Sequence, residues 1–127
     1  MNPLPNPVGW FEIHVEDLDR AKAFYEIVFD RRLGVLPSGD PTISILMFQG
    51  QQGEPGASGA IIKHPMKKPS TEGALVYFSC SDCAIQAQRA VEHGGRIFKD
   101  KTNIGPNGYI AIIGDSEGNA IGLHSFS

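Results

Sequence analysis

Trp10-Phe-Glu-Ile-His-Val-Glu-Asp17 decides the fold, because Leu75-Val-Tyr-Phe-Ser-Cys-Ser-Asp82 repeats its pattern 65 residues later. Each stretch reads as a strand running into an Asp whose carboxylate can cap the helix that follows. Behind Asp17, the residues Ala21, Phe24, Tyr25, Val28 and Phe29 recur at i, i+3, i+4, i+7 and i+8. That spacing predicts a buried stripe on a helix over about 18–30. Each half also closes on a similar strand, Gly59-Ala-Ile-Ile-Lys-His64 and Asn119-Ala-Ile-Gly-Leu-His124, here 60 residues apart. Two copies of one unit imply two modules about a pseudo-twofold axis, with a pocket where they meet.

Outward from these anchors, residues 1–7 with three prolines read as an extended arm. Strands are predicted near 8–16, 32–36, 43–49 and 59–64, and the stretch from Gly50 to Gly59 as a loop. That loop is Gly-rich but leads into a strand, so it lacks the helix N-terminus of a phosphate cradle. The basic, Pro-bounded His64-Pro-Met-Lys-Lys-Pro69 is the natural linker. The second half repeats the order: strand 74–80, helix 82–93 and strands at 96–100, 108–114 and 119–125. Gly94-Gly95 supplies the left-handed turn that stops the second helix. Asp115-Ser-Glu-Gly-Asn119 is a tight turn between the last two strands.

At 127 residues, 41% hydrophobic and 20% charged, the chain has the composition of an ordinary soluble protein with one core. A net charge of −3 argues against a nucleic-acid partner. No apolar run reaches the roughly 18 residues needed to span a bilayer, so no membrane partner is expected. The N-terminal segment lacks the basic start and apolar stretch of a signal peptide, and a cytoplasmic location is expected. Cys80 and Cys83 form a Cys-x-x-Cys, which is either a redox pair or half of a zinc site. A structural zinc needs four ligands, and no second Cys pair exists. Cys80 falls on the helix-facing side of its strand, where a small buried thiol is ordinary, so both thiols are expected to be free and slow to react.

Three segments resemble one superfamily. Phe11-Glu-Ile-x-Val15-x-Asp-Leu-Asp-Arg-Ala21-x-x-Phe24-Tyr25 is similar to the opening strand and helix of the vicinal oxygen chelate superfamily. Gly94-Gly95-Arg96-Ile97 resembles its second helix stop, and Gly108 to Leu123, with Asp115-x-Glu-Gly-Asn119, its C-terminal hairpin. That superfamily includes glyoxalase I, bleomycin- and fosfomycin-resistance proteins and extradiol dioxygenases. The resemblance implies an α+β fold of two βαβββ modules forming an open curved sheet around a central pocket. Module one would cover about 8–64, a linker 65–72 and module two 73–127, as one domain. A homodimer is also implied. Family enzymes hold a divalent metal at four positions, which carry over to Trp10, Ile62, Leu75 and Gly122. None of these side chains can ligate such an ion, so neither a metal nor another cofactor is expected.

Strand parity places Trp10, Glu12 and His14 on the pocket face, with Ile62 and His64, Leu75, Tyr77 and Ser79, and Gly122 and His124. A polar group thus stands two residues beyond each empty position: Glu12, His64, Tyr77 and His124. The crossover topology carries Glu12 and His64 one way and Tyr77 and His124 the other, leaving two pairs on the order of 13 Å apart. That spacing disfavours one displaced metal site. Glu12 beside His64 would suit a general base, and Tyr77 beside His124 could hydrogen-bond a carbonyl. Glu12 is the foremost candidate, since an inward carboxylate beside Trp10 needs a partner. The expected function is binding of a small, partly aromatic or carbonyl-containing molecule by Trp10, Glu12, His14, Ile62, Leu75, Tyr77 and Gly122. The alternative is a lyase, isomerase or dioxygenase-type enzyme on a small carbonyl substrate, using Glu12 with His64, His124 or Tyr77, with or without a displaced divalent metal.

Overall fold

The computed structural model describes residues 6–50 and 54–127. The first five residues of the expected arm and residues 51–53 of the expected loop lie outside the described residues. The chain runs β1 (Trp10–His14), α1 (Leu18–Phe29), β2 (Leu33–Leu36), β3 (Ser44–Phe48) and β4 (Ser58–Lys63). It then repeats as β5 (Val76–Ser79), α2 (Cys83–Glu92), β6 (Arg96–Asn103), β7 (Tyr109–Gly114) and β8 (Ala120–Ser125). One sheet has the order β1-β4-β3-β2 and the other β5-β8-β7-β6. The first and last strands of each sheet are parallel, as a helical crossover followed by two antiparallel connections requires. β6 continues three residues past its expected end and pairs with β7 through two irregularities, at Ile97/Lys99 and Lys99/Thr102.

Both helices start where their caps predict. Asp17 accepts from the Arg20 amide and Asp82 from the Ala84 amide. The stripe Ala21, Phe24, Tyr25, Val28 and Phe29 is buried. α1 stops at Asp30, which adopts φ 51°, a left-handed conformation that Asp tolerates better than most residues. α2 stops at Gly94 and Gly95, where the Gly95 amide donates to the Ala90 carbonyl at 2.7 Å. A Cβ on Gly95 would lie 3.0 Å from both that carbonyl oxygen and the Phe24 ring, so this glycine also lets α1 pack against the end of α2.

Two devices join the modules. Phe78 of β5 enters the aromatic cluster of module one, stacking on Phe29 at 4.2 Å and meeting Phe11 edge-on at 5.7 Å. Phe24, Tyr25, Ile61, Ile113, Ile121 and Leu123 are buried in the same continuous core. Each such side chain contributes roughly 1.5–3 kcal/mol by leaving water. The second device is the β7–β8 turn. The Glu117 carboxylate accepts the Glu16 and Asp17 amides and binds Arg20 through two nitrogens. Asn119 donates to the His14 carbonyl, and the buried Tyr25 hydroxyl donates to Asp115 at 2.6 Å. The Asp-x-Glu-Gly-Asn motif is therefore an architectural clasp on the start of α1.

Candidate functional site

The helices cover one face of each sheet, and the other face is open. Trp10, Leu75, Tyr77 and Phe98 retain 41%, 37%, 46% and 48% of their exposure. The Phe11, Ile13, Phe78, Ile121 and Leu123 side chains on the opposite faces pack into the core. The parity assignment of Trp10 and Tyr77 to the uncovered faces follows from this alternation.

The register corrects the pairing expected from the sequence. Trp10 aligns with Ser58, Glu12 with Ala60 and His14 with Ile62. In module two, Tyr77 aligns with Gly122 and Ser79 with His124. The last strands therefore superpose at an offset of 62 residues and not 60: Ala60, not Ile62, stands in the row that matches Gly122. The earlier offset followed the shared Ala-Ile and His of the two strands, whereas pairing with the first strand sets the rows.

The expected polar pairs change accordingly. Glu12 is not beside His64, which lies four residues beyond Ala60 along the chain, roughly 13 Å in extended backbone. His64 lies in a turn, where its Nδ1 accepts the Met66 amide at 3.0 Å. Tyr77 is beside Gly122, and His124 is one row away. The His124 Nε2 lies 2.6 Å from the Asn107 carbonyl, an acceptor only, so this nitrogen carries the proton. The Phe126 ring meets the His124 ring edge-on at 4.7 Å. Both candidate histidines are thus engaged in local contacts. No group of three His, Cys, Asp or Glu side chains suited to a metal comes together among the described residues.

Glu12 is exposed, and its partner is the Trp10 indole, which donates at 3.2 Å. Water therefore reaches the Glu12 carboxylate, which needs no buried partner. His14 is the less expected residue. It is half-buried, and its Nδ1 is buried with no hydrogen-bond partner among the described residues. Burial, then Lys67 and to a lesser degree His64, lower its pKa against the opposing pull of Glu12, favouring neutral imidazole.

Where the modules meet, a cleft of about 220 Å³ is lined by residues including Glu12, His14, Lys68, Glu72, Val76 and Asn119. Asn119 organises it by donating to His14 and accepting the Ser70 amide at 2.9 Å. Of the expected ligand-binding residues only Glu12 and His14 line this cleft; Trp10, Ile62, Leu75, Tyr77 and Gly122 do not. A polar recess of about 480 Å³ at Glu26, Asp30, Arg31, Arg32 and Gln49 lies where α1 turns into β2, away from these residues.

The paired four-stranded sheets, each with its helix, match known structures along nearly the whole chain. A glyoxalase/bleomycin resistance protein/dioxygenase domain from Frankia sp. EAN1pec superposes with TM-score 0.72 at 17% identity, covering 96% of this chain and 98% of that one. The chain shares the fold of that domain. TnmS3, an antibiotic binding protein from Streptomyces sp. CB03234, matches with TM-score 0.69 at 23% identity over 99% of this chain and 100% of its own. Glyoxalase I from Zea mays matches with TM-score 0.69 at 19% identity, over 98% of this chain but 48% of its own. The chain thus spans about half the length of the maize enzyme. Residues 8–29 match the bleomycin resistance protein-like N-terminal family. No curated protein sequence matches the chain.

Proposed function

We propose that this chain is a vicinal oxygen chelate superfamily protein and binds a small organic molecule without a metal, at a site that two copies of the chain complete. The observation that carries the reading is the pair of uncovered sheet faces, which leave Trp10, Leu75, Tyr77 and Phe98 open to water in a chain with an otherwise well-filled core. Such a face suits a ligand and a second subunit more than it suits solvent. The face of module one offers Trp10 with its hydrogen-bonded Glu12, and the face of module two offers Leu75 and Tyr77. Homodimerisation would set the first face of one chain against the second face of its partner. The four positions carried over for the family's metal, with Ala60 in place of Ile62 by register, offer no oxygen, imidazole or thiolate donor, so no step is routed through a metal. TnmS3, whose fold this chain shares, is an antibiotic binding protein, which agrees with the reading.

A general-base reading has one specific support: neutral His14, whose Nδ1 has no partner among the described residues, stands two residues from Glu12 on the same face. If that pair acted chemically, Glu12→Gln would abolish turnover and leave ligand affinity nearly intact.

The test is calorimetric titration of the full chain, dialysed against a chelator, with small aromatic and carbonyl compounds. The chain's single tryptophan, Trp10, serves as a fluorescence reporter. Saturable binding with the ligand recovered unchanged is expected. Binding that appears only after a divalent ion is restored would overturn the metal-free reading.

A further inference from the structure

We propose that Gly122 and Tyr77 form a specificity device that selects flat, fused-ring ligands, and that this device occupies the space in which the family's last metal ligand would project. The inference rests on the small-molecule reading above. Tyr77 and Gly122 are register partners on β5 and β8, and the tyrosine ring lies over the glycine. A Cβ placed on Gly122 would fall 2.6 Å from Tyr77 Cε1 and 2.7 Å from its Cγ, closer than real side chains approach. Gly122 has no left-handed backbone to explain its identity, so the need is spatial: only hydrogen leaves room for the ring. The ring's inner side is covered by the sheet, while the residue keeps 46% of its exposure. Outward, it offers an aromatic surface.

The same arrangement recurs one diagonal away. Gly114 on β7 aligns with Ala120, two residues before Gly122 on β8. A Cβ on Gly114 would lie 3.0 Å from Phe98 Cζ and 3.2 Å from its Cε2, and 3.0 Å from Cγ of its register partner Arg96. Phe98 is likewise about half exposed, at 48%. Diagonal positions on a sheet are roughly 7–8 Å apart, about the span of a fused two- or three-ring system. Two rings seated over glycines at that spacing, with the Arg96 stem beside the second, offer aromatic surface that a flat conjugated molecule covers more completely than a globular one. Aromatic packing over glycine also stabilises sheets by itself. The device is distinguished from that structural role by its selectivity for ligand shape.

There is a consequence for metal binding. A Glu or His introduced at position 122 would have to displace the Tyr77 ring before it could reach a metal. The centre is overbuilt, and one substitution cannot restore it.

The experiment titrates four probes into the full chain in chelator: flat proflavine and anthraquinone-2-sulfonate, and globular 1-aminoadamantane and adamantane-1-carboxylate. Each shape is thereby tested as a cation and as an anion. At least one flat probe should bind, and Gly122→Ala should weaken it tenfold or more. Tyr77→Leu should do the same, Tyr77→Phe should not, and Gly122→Ala combined with Tyr77→Leu should be no worse than Tyr77→Leu alone. Globular probes should bind weakly and respond less than threefold. Flat-probe affinity unchanged by Gly122→Ala, or equal losses for both shapes, overturns the device and leaves the binding reading standing. Binding of no probe overturns both. Should Gly122→Ala fail to fold, the contrast of Tyr77→Phe with Tyr77→Leu decides the matter alone.

Discussion

Arg20 donates to Glu117 through Nε at 2.6 Å and Nη2 at 2.9 Å, so the first turn of the first helix is held by the last turn of the chain. The Glu117 side chain is fully buried, whereas that of Arg20 is 54% exposed. Burial pushes the Glu117 carboxyl up, but Arg20, the Asp17 amide and Ser116 together outweigh it and hold the pKa below the usual value. A depressed carboxyl stabilises the fold above its unfolded pKa of about 4.3, and that contribution is lost as pH falls through the lower folded value. Glu117→Gln should cost about 1–3 kcal/mol at pH 7 in urea unfolding and flatten the acid limb of the stability profile. Arg20→Ala should also destabilise and move the acid limb towards higher pH, while the Glu16 and Asp17 amides and the Ser116 hydroxyl still donate to Glu117.

Tyr25→Phe tests the clasp from the helix side. The hydroxyl is buried and donates to Asp115 at 2.6 Å, and Asp115 Oδ2 also accepts from Asn119. Burial, followed by the charge of Asp115, raises the tyrosine pKa well above its usual range, so the proton stays on Tyr25. With one donor left to that oxygen, the loss should be about 1–2 kcal/mol in chemical denaturation. An unchanged midpoint would show that the hydroxyl is dispensable.

His14 gives a pH signature of opposite origin. Its folded pKa lies below 6.5, chiefly through burial, so the unfolded chain binds more protons as pH falls through 6.5. Stability is therefore full above about 6.5 and declines on acidification until the folded pKa is passed. NMR titration should place the His14 midpoint below the usual histidine value, and His14→Asn should remove the decline below about pH 6.5. A midpoint at or above the usual histidine value would contradict the buried, unpartnered Nδ1.

The cysteine pair should be inert. Cys83 is buried beneath the start of α2, and burial, with a smaller part from Cys83, raises the Cys80 thiol to about 11. Thiolate is the reactive form. At pH 7.5 an aromatic disulfide reagent should label both thiols slowly in the native state and rapidly in urea. Prompt native labelling would reopen a redox role.

Element order and both helix caps were legible in the sequence because hydrophobic period and N-cap chemistry are local. The stripe through Phe24 and Tyr25 is readable without knowing what it packs against. Register is not local in this sense. The shared Ala-Ile and His of the two closing strands suggested an offset of 60, but pairing with β1 and β5 sets it at 62. The expected pairing of Glu12 with His64 was four residues out: two from this offset, and two from the cross-strand alignment that also set Tyr77 beside His124 in place of Gly122. The clasp was visible as Asp115-x-Glu-Gly-Asn119, yet a turn motif does not say that its Glu will meet an amide 100 residues away. Gly122 was readable as a missing ligand, but only the fold shows that Tyr77 fills its space.

Complementation between two defective variants tests the central claim, a metal-free site shared by two chains, most directly. Trp10→Ala should disable the module-one half of both sites, and Gly122→Trp the module-two half. Neither homodimer should then bind a ligand that the wild-type chain binds in chelator. When the two are unfolded together and refolded, the mixed dimer contains one site with both lesions and one with none. Calorimetry should recover wild-type affinity at one site per mixed dimer, half the wild-type capacity. No recovery, with mixed dimers confirmed by mass, would place the site within a single chain and contradict the account.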